Sequence, residues 1–482
     1  MEVTSLSNKI QRAALWSTLT QVSIRLISPI TNMILARLLA PEAFGVVATI
    51  NMVISFVDMF TDAGFQKYLI QHEFNNEEER ENSINVAFWT NLMVSIALWC
   101  TIILFRNSIA KLVGNPGLGN VLAIACIQLP ITSFSSIQMA LFRRDFNFKS
   151  LFYIQLLVAS IPLFVTVPLA VLGFSYWSII IGSICGLLCN AIILTLKSKW
   201  KPKFFYQFSI LKEMLAFSIW SLFEAISIWM TSWIDTLIIG SSLSAYYIGL
   251  YKTSLSTVNA LMMIVTASVN PILFSALSRA QNNEEVFSKM FYKVQKLVAY
   301  LVFPMGIGIF IYRDLVTAIM LGEQWKEASN IIGVWAITSA IRIVLTSIYS
   351  EVYRAKGKPK LSLFVQMIHL VFLIPVCLIS LKKGFWTLVY ARAFVRLEGV
   401  VTGLIIMHFV MNFKAKDIVK NINKPIFYTF IMGIFALGLK LVSDNIIWSF
   451  VSIFICILVY GVLMVRGARD DLNMVIDILK KR

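Results

Sequence analysis

AALWSTLTQVSIRLISPITNMILA, residues 13–36, decides how the rest of the chain is read. It is long enough to cross a bilayer, whose hydrocarbon takes about 20 residues of helix. Arg25 stands near its middle, with Gln21 one turn before it and Asn32 two turns after. A charge at that depth costs roughly 3 kcal/mol on insertion scales, so it is expected to face a protein interior or water. A guanidinium facing a cavity is an anion site, because its planar fork suits phosphate and burial does not strip its charge.

Apolar runs of similar length recur from end to end. Of 482 residues, 58% are hydrophobic and only 14% are charged. That balance excludes a soluble domain and predicts an all-α polytopic membrane protein. Breaks such as Gly173-Phe174 divide the runs into spans at 13–36, 46–69, 84–105, 119–141, 151–172, 175–196, 214–240, 248–274, 294–312, 328–352, 361–381, 385–410, 425–443 and 446–465, about fourteen helices in all. The start, MEVTSLSNKIQRAA, lacks the short apolar core and small-residue cleavage site of a removable signal peptide.

The net charge of +17 fits this topology better than it fits nucleic acid. Counted loop by loop, one alternate set holds 29 Lys and Arg residues and the other holds 8. The positive-inside rule then puts both termini in the cytoplasm. The outer loops, such as SSLSAYYIG (241–249), are short and leave no room for a catalytic lobe. The six cysteines all fall in apolar runs, with neither metal-ligand spacing nor a disulfide framework. No GxxxxGK[ST] loop is present, so no nucleotide cofactor is expected.

The chain also repeats itself. Trp16 and Trp220 are 204 residues apart, as are Gly45 and Gly249. NNEE at 75–78 recurs at 282–285, and Arg106 and Arg313 keep that offset of 207. KSLFYIQ (149–155) echoes KLSLFVQ (360–366), and Gly173-Phe174 echoes Gly384-Phe385, both at 211. Six spans per copy insert both copies the same way up, and in such parallel repeats the substrate site lies between the halves near the midplane. The expected organisation is a six-helix bundle over 1–200, a basic cytoplasmic linker over 201–213, a second six-helix bundle over 214–412, and two further helices with a basic tail over 413–482.

TDAGFQKYLIQ (61–71), LFRRDFNFKSL (141–151), GFSYWSIIIG (173–182), WIDTLIIG (233–240), GLYKTS (249–254) and GEQWKEAS (322–329) follow in order. With them the chain resembles the polysaccharide flippases of the multidrug/oligosaccharidyl-lipid/polysaccharide exporter superfamily, above all the Wzx-type O-antigen and colanic-acid exporters. The resemblance implies a V-shaped pair of six-helix bundles around a central cavity. It also implies flipping of undecaprenyl-pyrophosphate-linked oligosaccharide, and cationic cavity residues on spans one and eight, where Arg25 and Lys252 stand.

A pyrophosphate in the membrane needs positive charge, because an unpaired dianion cannot enter a low-dielectric space. Arg25, Lys252 and Arg342 are the candidate substrate-binding cations. Their structural alternatives are an ion pair with Asp58, snorkelling to the interface, and a pair with Glu351. Glu224 and Asp235, three turns apart on one face of span seven, and Asp58 are candidates for Na⁺ or H⁺ coupling or for counter-charge. Asp62 at the end of span two reads as helix-end solvation. Arg392, Arg396 and Glu398 read as an internal salt-bridge network, and Trp229 and Trp233 as lipid-anchoring or sugar-stacking rings. The histidines are scattered and form no metal site.

The expected partners are the lipid-linked oligosaccharide, membrane lipids and a polysaccharide polymerase or assembly protein. The alternatives are an ion-coupled multidrug exporter of the same superfamily, whose cavity should be acidic or aromatic rather than arginine-bearing, and a membrane polysaccharide polymerase or glycosyltransferase, which needs longer outer loops.

Overall fold

A computed structural model describes the backbone of residues 2–62, 64–358, 360–443 and 445–468. Within it, the side chains of residues 2–11, 14, 25, 26, 62, 216–221, 268, 270–272 and 274–276 lie outside the described set. Arg25, Asp62 and Trp220 are among these. The described residues are 85% helix and contain no strand. It divides into two compact units, Met1–Lys252 and Thr253–Arg482.

The first unit holds α1 (Glu2–Leu38), α2 (Pro41–Asp62), α3 (Phe65–Gln71), α4 (Glu77–Leu104), α5 (Arg106–Leu112), α6 (Gly119–Ala125), α7 (Gln128–Arg144), α8 (Phe148–Phe164), α9 (Thr166–Val171), α10 (Tyr176–Lys197) and α11 (Phe208–Gly240), and α12 (Ala245–Arg279) begins in it. α2 is central to its packing. Val46, Ile50, Ile54 and Val57, one turn apart along α2, close against Ile102, Leu122, Leu129 and Ile180. Lipid supplies no hydrophobic drive between helices, so small and polar contacts carry much of the specificity. Between α4 and α7, the Asn91 amide donates to Ser136 Oγ at 2.9 Å, and Ser95 and Ser133 share a hydrogen bond of 2.7 Å. α11, which the sequence reading assigns to the second half, packs on α2 in this unit.

The second unit continues with α13 (Glu284–Ile311), α14 (Arg313–Met320), α15 (Ala328–Arg342), α16 (Ile348–Ala355), α17 (Lys360–Leu381), α18 (Phe385–Val395), α19 (Glu398–Phe409), α20 (Ala415–Asn421), α21 (Asn423–Lys440) and α22 (Ile446–Gly467). A π-helical turn, Ile343–Ser347, joins α15 to α16. The two C-terminal helices pack on α13: Tyr300, Tyr428, Met432 and Tyr460 form one cluster, and Tyr460 donates to the Tyr300 carbonyl at 2.9 Å.

The repeat in the sequence is a repeat of elements. α4 and α13 are both 28 residues long and start and stop 207 residues apart. Asn76 caps α4 by accepting from Glu79 N–H, and Asn283 caps α13 by accepting from Val286 N–H. A side-chain oxygen satisfying a first-turn donor is what Asn does at this position. Both helices then break before an arginine, Arg106 or Arg313, which opens the next short helix.

Among the described residues, eleven helices are long and apolar enough to cross a membrane, and twelve if α20 and α21, bent by 40°, form one span. α1 and the α18–α19 pair, counted as spans in the sequence, are outside that set. The stretch 385–410 is broken at Arg396-Leu397. The guanidinium of Arg396 there lies 3.8 Å from the centre of the Trp335 ring.

Candidate functional site

The first unit has an open cavity of about 490 Å³ lined by Ser55, Asp58, Met59, Thr61, Gly64, Gln66, Lys67, Asn91, Thr132, Ser136, Leu222 and Ala225. Helix geometry explains the set. Ser55, Asp58 and Met59 share one face of α2, Thr132 and Ser136 one face of α7, and Leu222 and Ala225 one face of α11. Asn91 lies about 21 Å along α4 from Glu77, well inside the span. Six of these residues are polar without charge, two are small and two are ionic, so the cavity suits a hydrated polar group better than a lipid tail.

Lys67 reaches the cavity because of how α3 is held. Gly64, at φ 81°, turns the chain out of α2 in a left-handed conformation that a side chain would strain. Phe65, Tyr68 and Leu69 then bury the opposite face of α3. The Lys67 ammonium stands 3.9 Å from the Glu224 carboxylate on α11. One residue on, Tyr68 donates to Glu213 Oε1 at 3.0 Å. Burial and the Glu213 charge both push the Tyr68 phenol above its ordinary range, so it stays a neutral donor. α3 is thus tied to α11 twice, once firmly at Tyr68 and once loosely at Lys67.

Asp235, three turns beyond Glu224, is in a different environment. It is 1% exposed, and it accepts from Thr236 N–H at 2.7 Å, Thr236 Oγ1 at 3.1 Å and Tyr251 Oη at 2.7 Å. Glu224 is 60% exposed at its side chain. The spacing of the two does put both on one side of α11, but α12 covers one and leaves the other open. Lys252 donates to the Ser232 carbonyl at 2.8 Å and lies 4.0 Å from the Trp233 ring centre, so it is held against the side of α11 and is not in the cavity lining.

Residues 34–330 match the family described as Polysaccharide biosynthesis protein, more than half of the chain. The chain belongs to that family. It is similar to the succinoglycan biosynthesis transport protein ExoT of Rhizobium meliloti, 24% identical over 68% of this chain and 65% of that one. It is also similar to the teichuronic acid biosynthesis protein TuaB of Bacillus subtilis, 22% identical over 92% and 91%. Among solved structures, the lipid II flippase MurJ in an inward closed conformation superposes with a TM-score of 0.77 at 18% identity, over 95% of this chain and 99% of that one. An inward-facing multidrug transporter of the MATE family, from the MOP superfamily, superposes at 0.61 and 13% identity, over 84% and 99%. The fold is therefore the one these polytopic membrane proteins share.

In this polysaccharide biosynthesis protein the remaining candidates separate. Asp58 lines the cavity, and Glu224 meets it through Lys67. The side chain of Arg25 lies outside the described residues, so its pairing with Asp58 has no description here. Arg342 is in the second unit, with Arg392 and Glu398 in electrostatic range. Its expected alternative partner, Glu351, instead receives Arg354 at 3.4 Å. Glu398 accepts from Thr402 and meets His369 Nδ1 at 3.2 Å, while Arg392 and Arg396 lie 5.5 and 3.8 Å from the Trp335 ring centre. Trp229 donates to the Met52 carbonyl and to Ser55 Oγ, both at 3.2 Å, and packs edge-on against Phe56. Its role is to join α11 to α2.

The sequence reading missed Lys67, Gln66, Asn91, Thr132 and Ser136. The expected span 46–69 runs α2 and α3 together, and Lys67 at its end is counted among the 29 basic residues of the cytoplasmic loop set. The signal present was Gly64 in TDAGFQKYLIQ, a turn residue directly before an amphipathic helical turn.

Proposed function

We propose that this protein moves undecaprenyl-pyrophosphate-linked oligosaccharide units across the bacterial inner membrane by alternating access, for assembly of a surface polysaccharide. The observation that carries the reading is a polar, lysine-bearing cavity inside a membrane-embedded bundle of the polysaccharide biosynthesis family. Its volume is within the few hundred Å³ typical of ligand sites. A phosphate-linked sugar needs such a wet, cationic place, while its lipid tail can stay in the bilayer. The names of the relatives, a transport protein for succinoglycan and a teichuronic acid biosynthesis protein, support a substrate of this class.

Both termini are placed in the cytoplasm, with the headgroup entering from that side. Arg25 on α1 is a further candidate phosphate contact, while Lys252, held on α11, and Arg342, in the second unit, are candidates outside this cavity's lining. Asp58, Glu224 and Asp235 are the carboxylates available for Na⁺ or H⁺ coupling. A polysaccharide polymerase or assembly protein is the expected partner on the product side.

The test is the fate of the lipid-linked intermediate in cells lacking the protein. Accumulation on the cytoplasmic face, relieved by a plasmid copy, is the expected result. Accumulation on the outer face, or none, would assign the step to another protein.

A further inference from the structure

Among the described residues the cavity lining holds one cation, Lys67, and meets two carboxylates, Asp58 in the lining and Glu224 beside it. An anion entering such a space is repelled unless a cation is made available. The geometry shows how one is. The Lys67–Glu224 contact is 3.9 Å long and its two side chains are 55% and 60% exposed. Other pairs in the same unit are shorter: Lys203 with Glu81 at 2.7 Å and Arg80 with Asp145 at 3.0 Å. A long ion pair between exposed side chains is worth little in free energy, so a stronger anion displaces it readily. A diphosphate ester carries more charge and more acceptor oxygens than one carboxylate, and charge-assisted bonds to it are stronger. The backbone beneath Lys67 does not need to move for this exchange, because Phe65, Tyr68 and Leu69 fix α3 from behind. The side chain alone swings.

We propose that Lys67 receives the phosphate end of the transported lipid and that Glu224 is its resident counter-ion, displaced when the diphosphate binds and returning when it leaves. This deepens the proposed function and rests on it. Glu224 thereby weakens binding and assists release, a role different from that of a structural strut.

The experiment uses the full-length protein in nanodiscs with farnesyl diphosphate as the probe and farnesol as the uncharged control. In the wild type, acetylation of Lys67 by an amine-reactive reagent, followed by mass spectrometry, is slowed by farnesyl diphosphate and not by farnesol. Lys67→Met lowers affinity for farnesyl diphosphate by about tenfold or more, the scale of a lost charged hydrogen bond. Lys67→Arg retains most of it. Glu224→Gln raises affinity by about two- to fivefold, the scale of an exposed ion pair. Opposite signs at 67 and 224 are the signature of exchange. Equal losses in Lys67→Met and Glu224→Gln would make the pair a strut and overturn the proposal. So would unprotected Lys67 in the wild type, a result that needs no variant to fold. Translocation of the native lipid-linked glycan by wild-type proteoliposomes, measured separately, tells whether such a failure reaches the proposed function or stops at Lys67.

Discussion

Tyr251 and Asp235 show how a single buried charge is kept in a membrane helix. An unsatisfied carboxylate there would cost several kcal/mol. Three donated hydrogen bonds, two from Thr236 and one from Tyr251, remove that cost. Tyr251→Phe should therefore lower stability by about 1–3 kcal/mol, since it removes a donor and leaves the charge buried. Thermal unfolding in detergent reads the loss directly, and an unchanged midpoint would mean that Asp235 is neutral when folded. The sequence made Asp235 visible as an intramembrane acid, but not its partner. Tyr251 lies on another helix, and only the turn at 241–244 brings it across. The same limit applies to Arg396. Its spacing to Arg392 and Glu398 was plain, whereas the Trp335 ring that receives it belongs to α15.

Helices end in this protein by rules that repeat between the copies. After α7, Phe146 N–H donates to the Arg143 carbonyl and Asn147 N–H to the Phe142 carbonyl, at 3.1 and 2.8 Å. After α16, Gly357 donates to Arg354 and Lys358 to Tyr353, at 3.0 and 2.8 Å. Both ends are Schellman caps with a left-handed residue, Phe146 at φ 55° and Gly357 at φ 68°. Only the second copy has the residue that adopts this conformation without strain. Gly357→Ala should cost about 1 kcal/mol, and Phe146→Gly should be neutral or stabilising by a similar amount. At the helix starts, Asn76→Ala and Asn283→Ala should each cost about 1 kcal/mol. A matched set of unfolding midpoints checks all four, and unequal losses at the two asparagines would show that the copies no longer share a cap. A different constraint acts where α2 meets the start of α12. A Cβ on Gly45 would stand 1.8 Å from the Ala245 carbonyl oxygen, and one on Gly249 equally close to that of Pro41. The backbones touch there, so Gly45→Leu should abolish the folded form rather than trim its stability. The equivalence of these two glycines, and of the two NNEE runs, was legible in the sequence because caps and close approaches each demand one residue type. That Gly45 and Gly249 meet each other was not, since a spacing carries no partner.

Span count is where the whole chain is least legible, because hydropathy averages over a window and both doubtful segments dilute it with charge. α1 carries Arg25 in the middle of 37 residues, about 55 Å of helix and ample for a bilayer. α18 and α19 together reach about 35 Å, also enough for a hydrocarbon core near 30 Å, but break at Arg396-Leu397. Parity decides each one separately. If α18–α19 crosses, the C-terminus lies opposite the loop 241–244; if it dips in and returns, the two lie on the same side. The N-terminus stands in the same relation to that loop through α1. The bias of 29 basic residues against 8 favours crossing in both cases, since a failed crossing at α18–α19 would put Lys382 and Lys383 on one side with Lys414, Lys416, Lys420 and Lys424. The expected outcome is an active alkaline phosphatase inserted at Ser242 and fluorescent-protein fusions that glow at both termini. A dark C-terminal fusion would make α18–α19 re-entrant, and a dark N-terminal one would remove α1 from the membrane, taking Arg25 out of any cavity and leaving Lys67 as the cation proposed for the first unit's cavity.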